Sequence, residues 1–171
     1  MSSLEIRAPL DAWVSRMLVQ ELDDERARAL RSEPLRSTLA RLDPAVETVW
    51  PLCSDVSRSD DEAFAQLLIL PSGVSPCASA WMPGDRQRAS DHAVALVERA
   101  LELLGRDPVD EPPWGRLPRD HFGLILELVA VASESADSLD RQLAHELDEA
   151  LLGERLQAFG RALFEAADHP L

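Results

Sequence analysis

Leu117-Pro118-Arg119-Asp120-His121 runs directly into Phe122-Gly123-Leu124-Ile125-Leu126-Glu127-Leu128-Val129-Ala130-Val131-Ala132. The segment is apolar at nearly every position from Phe122 to Ala132, with Glu127 the one charge inside it. A helix that is apolar all round belongs at the centre of its fold, because every face must be covered by another element. The spacing therefore predicts a central helix from Asp120 to about Glu134, with Asp120 as an N-cap whose carboxylate accepts backbone N–H bonds and meets the positive end of the dipole.

The flanking segments carry the same period. Leu10, Trp13, Val14, Met17, Leu18 and Leu22 recur at three- and four-residue spacing and predict one apolar stripe on a first helix. Leu35, Leu39, Leu42 and Val46 mark a second, shorter helix or pair, with Pro34 and Pro44 suited to first turns. Ser59 or Asp60 is placed to cap a helix carrying Phe64, Leu67 and Leu68. Ser90 is placed to cap another with Val94, Val97, Leu101 and Leu104 on one face, ended by Gly105. Ser138 opens a helix with Leu139, Leu143, Leu147 and Leu151 in register; Gly153 interrupts it, and Leu156, Phe159, Leu163 and Phe164 mark a last one. Residues 71–88 and 106–118 are Pro-rich connections, and a loop as long as the first is often functional. With no alternating strand pattern, the reading is an all-α, single-domain bundle over residues 1–171 with about six or seven helices.

Composition narrows the function. The chain has 171 residues, 46% of them hydrophobic, and a formal net charge of −14. Nucleic acid is excluded as a partner, since phosphate binding needs a basic face, and an anionic membrane surface would repel the chain. A cationic peptide is favoured. No apolar run is long enough to span a bilayer, and the start of the chain lacks the basic and apolar regions of a secretory signal, so the expected location is the cytoplasm. Cys53 and Cys77 are far apart and form no CxxC pair. His92, His121, His145 and His169 show no metal-ligand spacing, and neither a glycine-rich phosphate loop nor a Gly-x-Ser-x-Gly elbow is present. No cofactor, no metal site and no catalytic residues are expected.

Two constellations remain. Asp120-His121 has a structural reading, a cap and a satisfied ring, and a functional one, a carboxylate at a groove rim that pairs bidentately with a guanidinium while the neighbouring imidazole, with its reference pKa near neutrality, tunes the contact. The loop Pro76-Cys77-Ala78-Ser79-Ala80-Trp81 is either a turn pinned to the core by Trp81 or a wall that receives an extended or helical peptide.

These blocks resemble the TorD/DmsD/NarJ family of redox-enzyme maturation chaperones. Phe64-Ala65-Gln66-Leu67-Leu68-Ile69-Leu70-Pro71 followed by Pro76-x-x-Ser79-x-Trp81 is similar to that family's aromatic-x-x-Leu-Phe stretch and Pro-x-x-Ser-x-aromatic loop. Pro118-Arg119-Asp120-His121 leading into Leu126-Glu127 resembles its Pro-x-Asp-His signature. Residues 151–171, ending in His169-Pro170, resemble its terminal block. The chain departs from the pattern at Leu70, Ala78, Arg155 and Phe159. The resemblance implies a helical cytoplasmic chaperone, not an enzyme, that binds the N-terminal leader (often twin-arginine) of a molybdopterin oxidoreductase subunit and holds the apo form until cofactor insertion and assembly or export. It carries Pro76, Ser79, Trp81, Pro118, Asp120, His121 and Glu127 over as peptide-binding positions. The alternative is a non-enzymatic adaptor that binds a folded partner. Whether the chain forms a homodimer is open at this level.

Overall fold

The computed structural model describes residues 3–19, 32–42, 44, 47, 73–106 and 116–167. Among these the chain is all-α, with six α-helices and one 3₁₀ turn: α1 (Ser3–Val19), α2 (Glu33–Leu42), the turn Ala78–Trp81, α3 (Arg86–Leu103), α4 (Phe122–Glu134), α5 (Ser138–Leu151) and α6 (Gly153–Ala167). They group into two compact units, Met1–Gln20 with Pro71–Leu171, and Glu21–Leu70. The expected helix around Phe64, the Phe64–Pro71 block, Leu22, Val46, Cys53, most of the second Pro-rich connection and His169-Pro170 lie outside the described residues. In the smaller unit, α2 carries Pro34 in its first turn as expected, and Arg36 pairs with Glu47 and with Glu33.

In the larger unit α4 is the centre. Phe122, Ile125, Leu126, Leu128 and Val129 are fully buried, packed mainly against α1 on one side and α5 on another. Burying one such side chain stabilises the fold by about 1.5–3 kcal/mol. Among the described residues no helix is long and apolar enough to cross a membrane.

The face that α1 presents inward differs from the expected one. Leu4, Ala8, Asp11 and Ser15 are buried, whereas Leu10, Trp13, Val14, Met17 and Leu18 are only half-buried. The reason is close approach. The Ser15 hydroxyl donates to the Gly123 carbonyl at 2.8 Å, and a Cβ on Gly123 would stand 2.6 Å from the Val19 side chain. Ser15 and Val19 on α1 meet a glycine on α4, and the bulkier Trp13, Met17 and Leu18 stay half-buried. Asp11 is tolerated inside because Arg7 reaches it (Nε–Oδ2 2.8 Å) and also reaches Asp148 on α5.

Three expected caps shift. α3 starts at Arg86, with Asp85 accepting from the Arg88 backbone N–H at 3.0 Å, so Ser90 lies inside it. Gly84, at φ +98, supplies the left-handed turn that brings Asp85 into place. Asp137, not Ser138, caps α5 through the Leu139 N–H at 2.8 Å. Leu139 points outward, 71% exposed, while Leu143, Leu147 and Leu151 are buried as expected. The third shift, at α4, forms part of the site.

Candidate functional site

Two segments about forty residues apart are stitched together at the head of α4. The Ala78 N–H donates to the Asp120 carbonyl and the Phe122 N–H to the Pro76 carbonyl, each at 2.8 Å. They flank an isolated antiparallel bridge between Cys77 and His121. The Asp120 carboxylate then reaches across the join. Its Oδ2 accepts from the Ser79 backbone N–H at 3.3 Å and from the Ser79 hydroxyl. Ser79 and Asp120 are both buried, Asp120 to 4% exposure.

Because Asp120 is committed to Ser79, it does not cap α4. His121 does: its Nδ1 accepts from the Gly123 N–H at 3.0 Å, which puts the proton of the neutral ring on Nε2. The ring is 5% exposed, and burial pulls its pKa down to about 4 against the smaller upward pull of Asp120. His121 is therefore neutral near pH 7, and the expectation that its charge tunes a guanidinium contact is corrected.

Trp81 completes the loop. Its Nε1–H donates to the Ser75 carbonyl at 2.9 Å, and its ring meets Phe159 edge-on at 6.1 Å; Phe159 in turn lies 5.1 Å from Phe122. This aromatic chain ties the loop to α6 and to the start of α4, an arrangement that contributes about 0.5–1.5 kcal/mol per ring pair beyond area burial.

Two open clefts adjoin the 78–81 turn. One, of about 520 Å³, is lined by Ser75, Cys77, Ser79, Arg86, Ser90 and Asp120, among others. The Cys77 thiol there is pushed up to about 11, first by burial and then by the Asp120 charge, and it is free. The second, of about 790 Å³, is lined by Trp81 and Pro83 together with residues of the α5–α6 junction.

Of the residues expected at the site, Pro76, Ser79, Asp120 and His121 come together, and Trp81 is anchored beside them. Pro118 is exposed, and its carbonyl accepts from the His121 N–H at 3.0 Å, closing the turn before α4. Glu127 lines neither cleft; its Oε2 is buried on α4 without a hydrogen-bond partner among the described residues. Sequence reasoning missed Arg86. The Pro83-Gly84-Asp85 run was the available signal, since a turn followed by a capping acid puts the next residue in a helix's first turn, against the loop. The Ser79 hydroxyl bonds a carboxylate and the imidazole Nδ1 bonds backbone, so this constellation builds no serine–histidine pair. Among the described residues no His, Cys, Asp and Glu side chains group to hold a metal ion.

No family model, curated protein or solved structure matches the chain.

Proposed function

We propose that the protein is a leader-binding maturation chaperone of the TorD/DmsD/NarJ type, acting in the cytoplasm on the apo form of a molybdopterin oxidoreductase subunit. The observation that carries the reading is the hydrogen-bonded join of the Pro76-x-x-Ser79-x-Trp81 loop to the Asp120-His121 pair. Two of the stretches that carry the resemblance are partners in one constellation beside an open cleft.

In this reading Asp120 is the arginine contact. Asp120 lines the cleft, both bonds from Ser79 fall on Oδ2, and the reading assigns the other carboxylate oxygen to the guanidinium. Ser79 holds the carboxylate in place, so little side-chain freedom remains to be lost on binding. The net charge of −14 draws a cationic leader toward the protein and makes the association rate fall with ionic strength.

The test is calorimetric titration with synthetic leaders of the molybdopterin oxidoreductases encoded in the same genome. Saturable binding to one of them, weakened when its arginines are replaced, is the expected result. Absence of heat with every such leader, together with capture of a folded partner from the host, would reject the chaperone in favour of an adaptor.

A further inference from the structure

The second cleft holds a feature that packing leaves unexplained. Arg155 lines it from the first turn of α6, and its Nε is buried without a hydrogen-bond partner among the described residues. Among the described residues its guanidinium makes one long bond, 3.4 Å from Nη1 to the Glu149 carbonyl. Arg155 as a whole is half-buried and its Nη1 end is exposed, so the guanidinium reaches the cleft with donor capacity to spare. Acceptors are not scarce in this chain, whose acidic residues outnumber its basic ones by fourteen. Glu149 and Glu154 line the same cleft, yet neither carboxylate pairs with Arg155.

Charge says what kind of ligand fits. Among the described residues of the lining, Arg155 and Arg161 are balanced by Glu149 and Glu154. A balanced wall favours neither a free anion nor a free cation. It favours a neutral acceptor. Trp81 and Pro83 add aromatic and aliphatic surface to the same lining. A peptide main chain in extended form supplies both requirements, since its carbonyls are unspent and its side chains project onto the walls. A helical peptide has used those carbonyls internally.

We propose that this cleft binds the leader in extended conformation, with one main-chain carbonyl accepting from the Arg155 guanidinium and a side chain resting on Trp81. The inference rests on the chaperone reading and adds to it the form of the ligand and a second subsite. The 78–81 turn is the shared wall, with Ser79 and Ala80 facing the Asp120 cleft and Trp81 facing this one. A leader whose arginine sits by Asp120 crosses that wall to reach Arg155.

The test uses the full chain and a leader that binds it. Arg155→Met keeps the stem and removes the donors. Its melting temperature is expected to equal or exceed that of the wild type, because a buried unpaired donor is lost, while leader affinity falls roughly tenfold. A residue with a structural role only would show the reverse. The leader is then scanned with backbone esters, each of which weakens one carbonyl acceptor. One position should weaken binding to the wild type and leave binding to Arg155→Met unchanged. Unaltered affinity of Arg155→Met, or an ester scan with no such position, overturns the subsite and leaves the chaperone reading standing. Failure of the wild type to bind any leader overturns both.

Discussion

The Ser79 hydroxyl and backbone N–H both point at Oδ2 of Asp120, so the carboxylate is at once the lock of the loop and the candidate arginine contact. Asp120→Ala removes the acceptor and leaves two buried donors on Ser79. A single unpaired buried donor costs about 1–3 kcal/mol. Urea unfolding should therefore show a loss of about 2–4 kcal/mol for Asp120→Ala, against about 1 kcal/mol for Asp137→Ala, which removes only an exposed helix cap. Leader affinity should fall for Asp120→Ala and stay unchanged for Asp137→Ala. Asp120→Asn, which keeps an acceptor for Ser79, separates the two roles: it should recover most of the stability and little of the binding.

His121 makes stability depend on pH. Its folded pKa of about 4 lies below the ordinary 6.5, so between these values the unfolded chain binds a proton that the folded chain does not. Its contribution is full above pH 6.5 and is lost as pH falls toward 4, a change of about 3 kcal/mol. Asp11 runs the other way: burial raises its pKa against the pull of Arg7, so the folded chain binds the extra proton and its contribution grows on acidification. His121→Asn, whose side-chain oxygen can take over the cap, should flatten the loss between pH 7 and 5. Unchanged pH dependence in that variant would show that the ring titrates normally in the folded chain.

The Cys77 thiol should be slow. With a pKa pushed up to about 11 from 9.0, its thiolate fraction at pH 8 is lower by roughly two orders of magnitude than that of an unperturbed cysteine. In a Cys53→Ser background, reaction with a disulfide reagent should be at least that much slower than for a free thiol. Leader binding should slow it further, since Cys77 lines the cleft with Asp120.

The central helix was legible because ten of its thirteen residues are buried and an apolar run of that length admits few other fates. The caps of α4 and α5 were legible to within a residue, whereas that of α3 lies at Asp85 and not at Ser90. Asp120 and His121 are both able to cap, and the choice fell to His121 because Ser79, about forty residues away, engages Asp120. The inner face of α1 was misread for the same kind of reason. Ala8, Asp11 and Ser15 become core positions through Gly123 and Asp148, neither of which is visible from local periodicity. At the site, the motif residues adjacent in sequence were found, whereas Arg86 and Arg155 were not, because they join the clefts through helix starts on other elements.

Arg7 bridges α1 to α5 by pairing with buried Asp11 and with Asp148. Burial opposes the charge on Arg7, and its bonds to Asp11 and Asp148 outweigh that opposition and raise its pKa. Arg7→Met should leave Asp11 inside without a counter-charge. Arg7 is 39% exposed, so solvent screens part of the cost, and a loss of about 2 kcal/mol is expected. The double variant Arg7→Met, Asp11→Leu should recover most of that loss, because an apolar pair replaces the buried ion pair and only the part-exposed Asp148 loses a partner. Unfolding curves of the two single variants and the double complete the cycle, and a double variant no more stable than Arg7→Met would reject the bridge as the reason Asp11 is tolerated.

Gly123→Ala tests the seam between α1 and α4. In an ordinary helix interior the change stabilises by about 0.5–1 kcal/mol. Here the added Cβ stands 2.6 Å from Val19 Cγ1, 3.1 Å from His121 Nδ1 and 3.2 Å from the Ser15 carbonyl oxygen. Val19 is β-branched and stiff, the His121 nitrogen is fixed by its bond to the Gly123 N–H, and the Ser15 oxygen is helix backbone, so none of the three yields cheaply. The clash should outweigh the propensity gain and destabilise by about 1–3 kcal/mol. Gly123→Ala with Val19→Ala relieves the shortest contact and should recover part of the loss in thermal unfolding; a single variant as stable as the wild type would mean that α1 does not lie against α4 at this glycine.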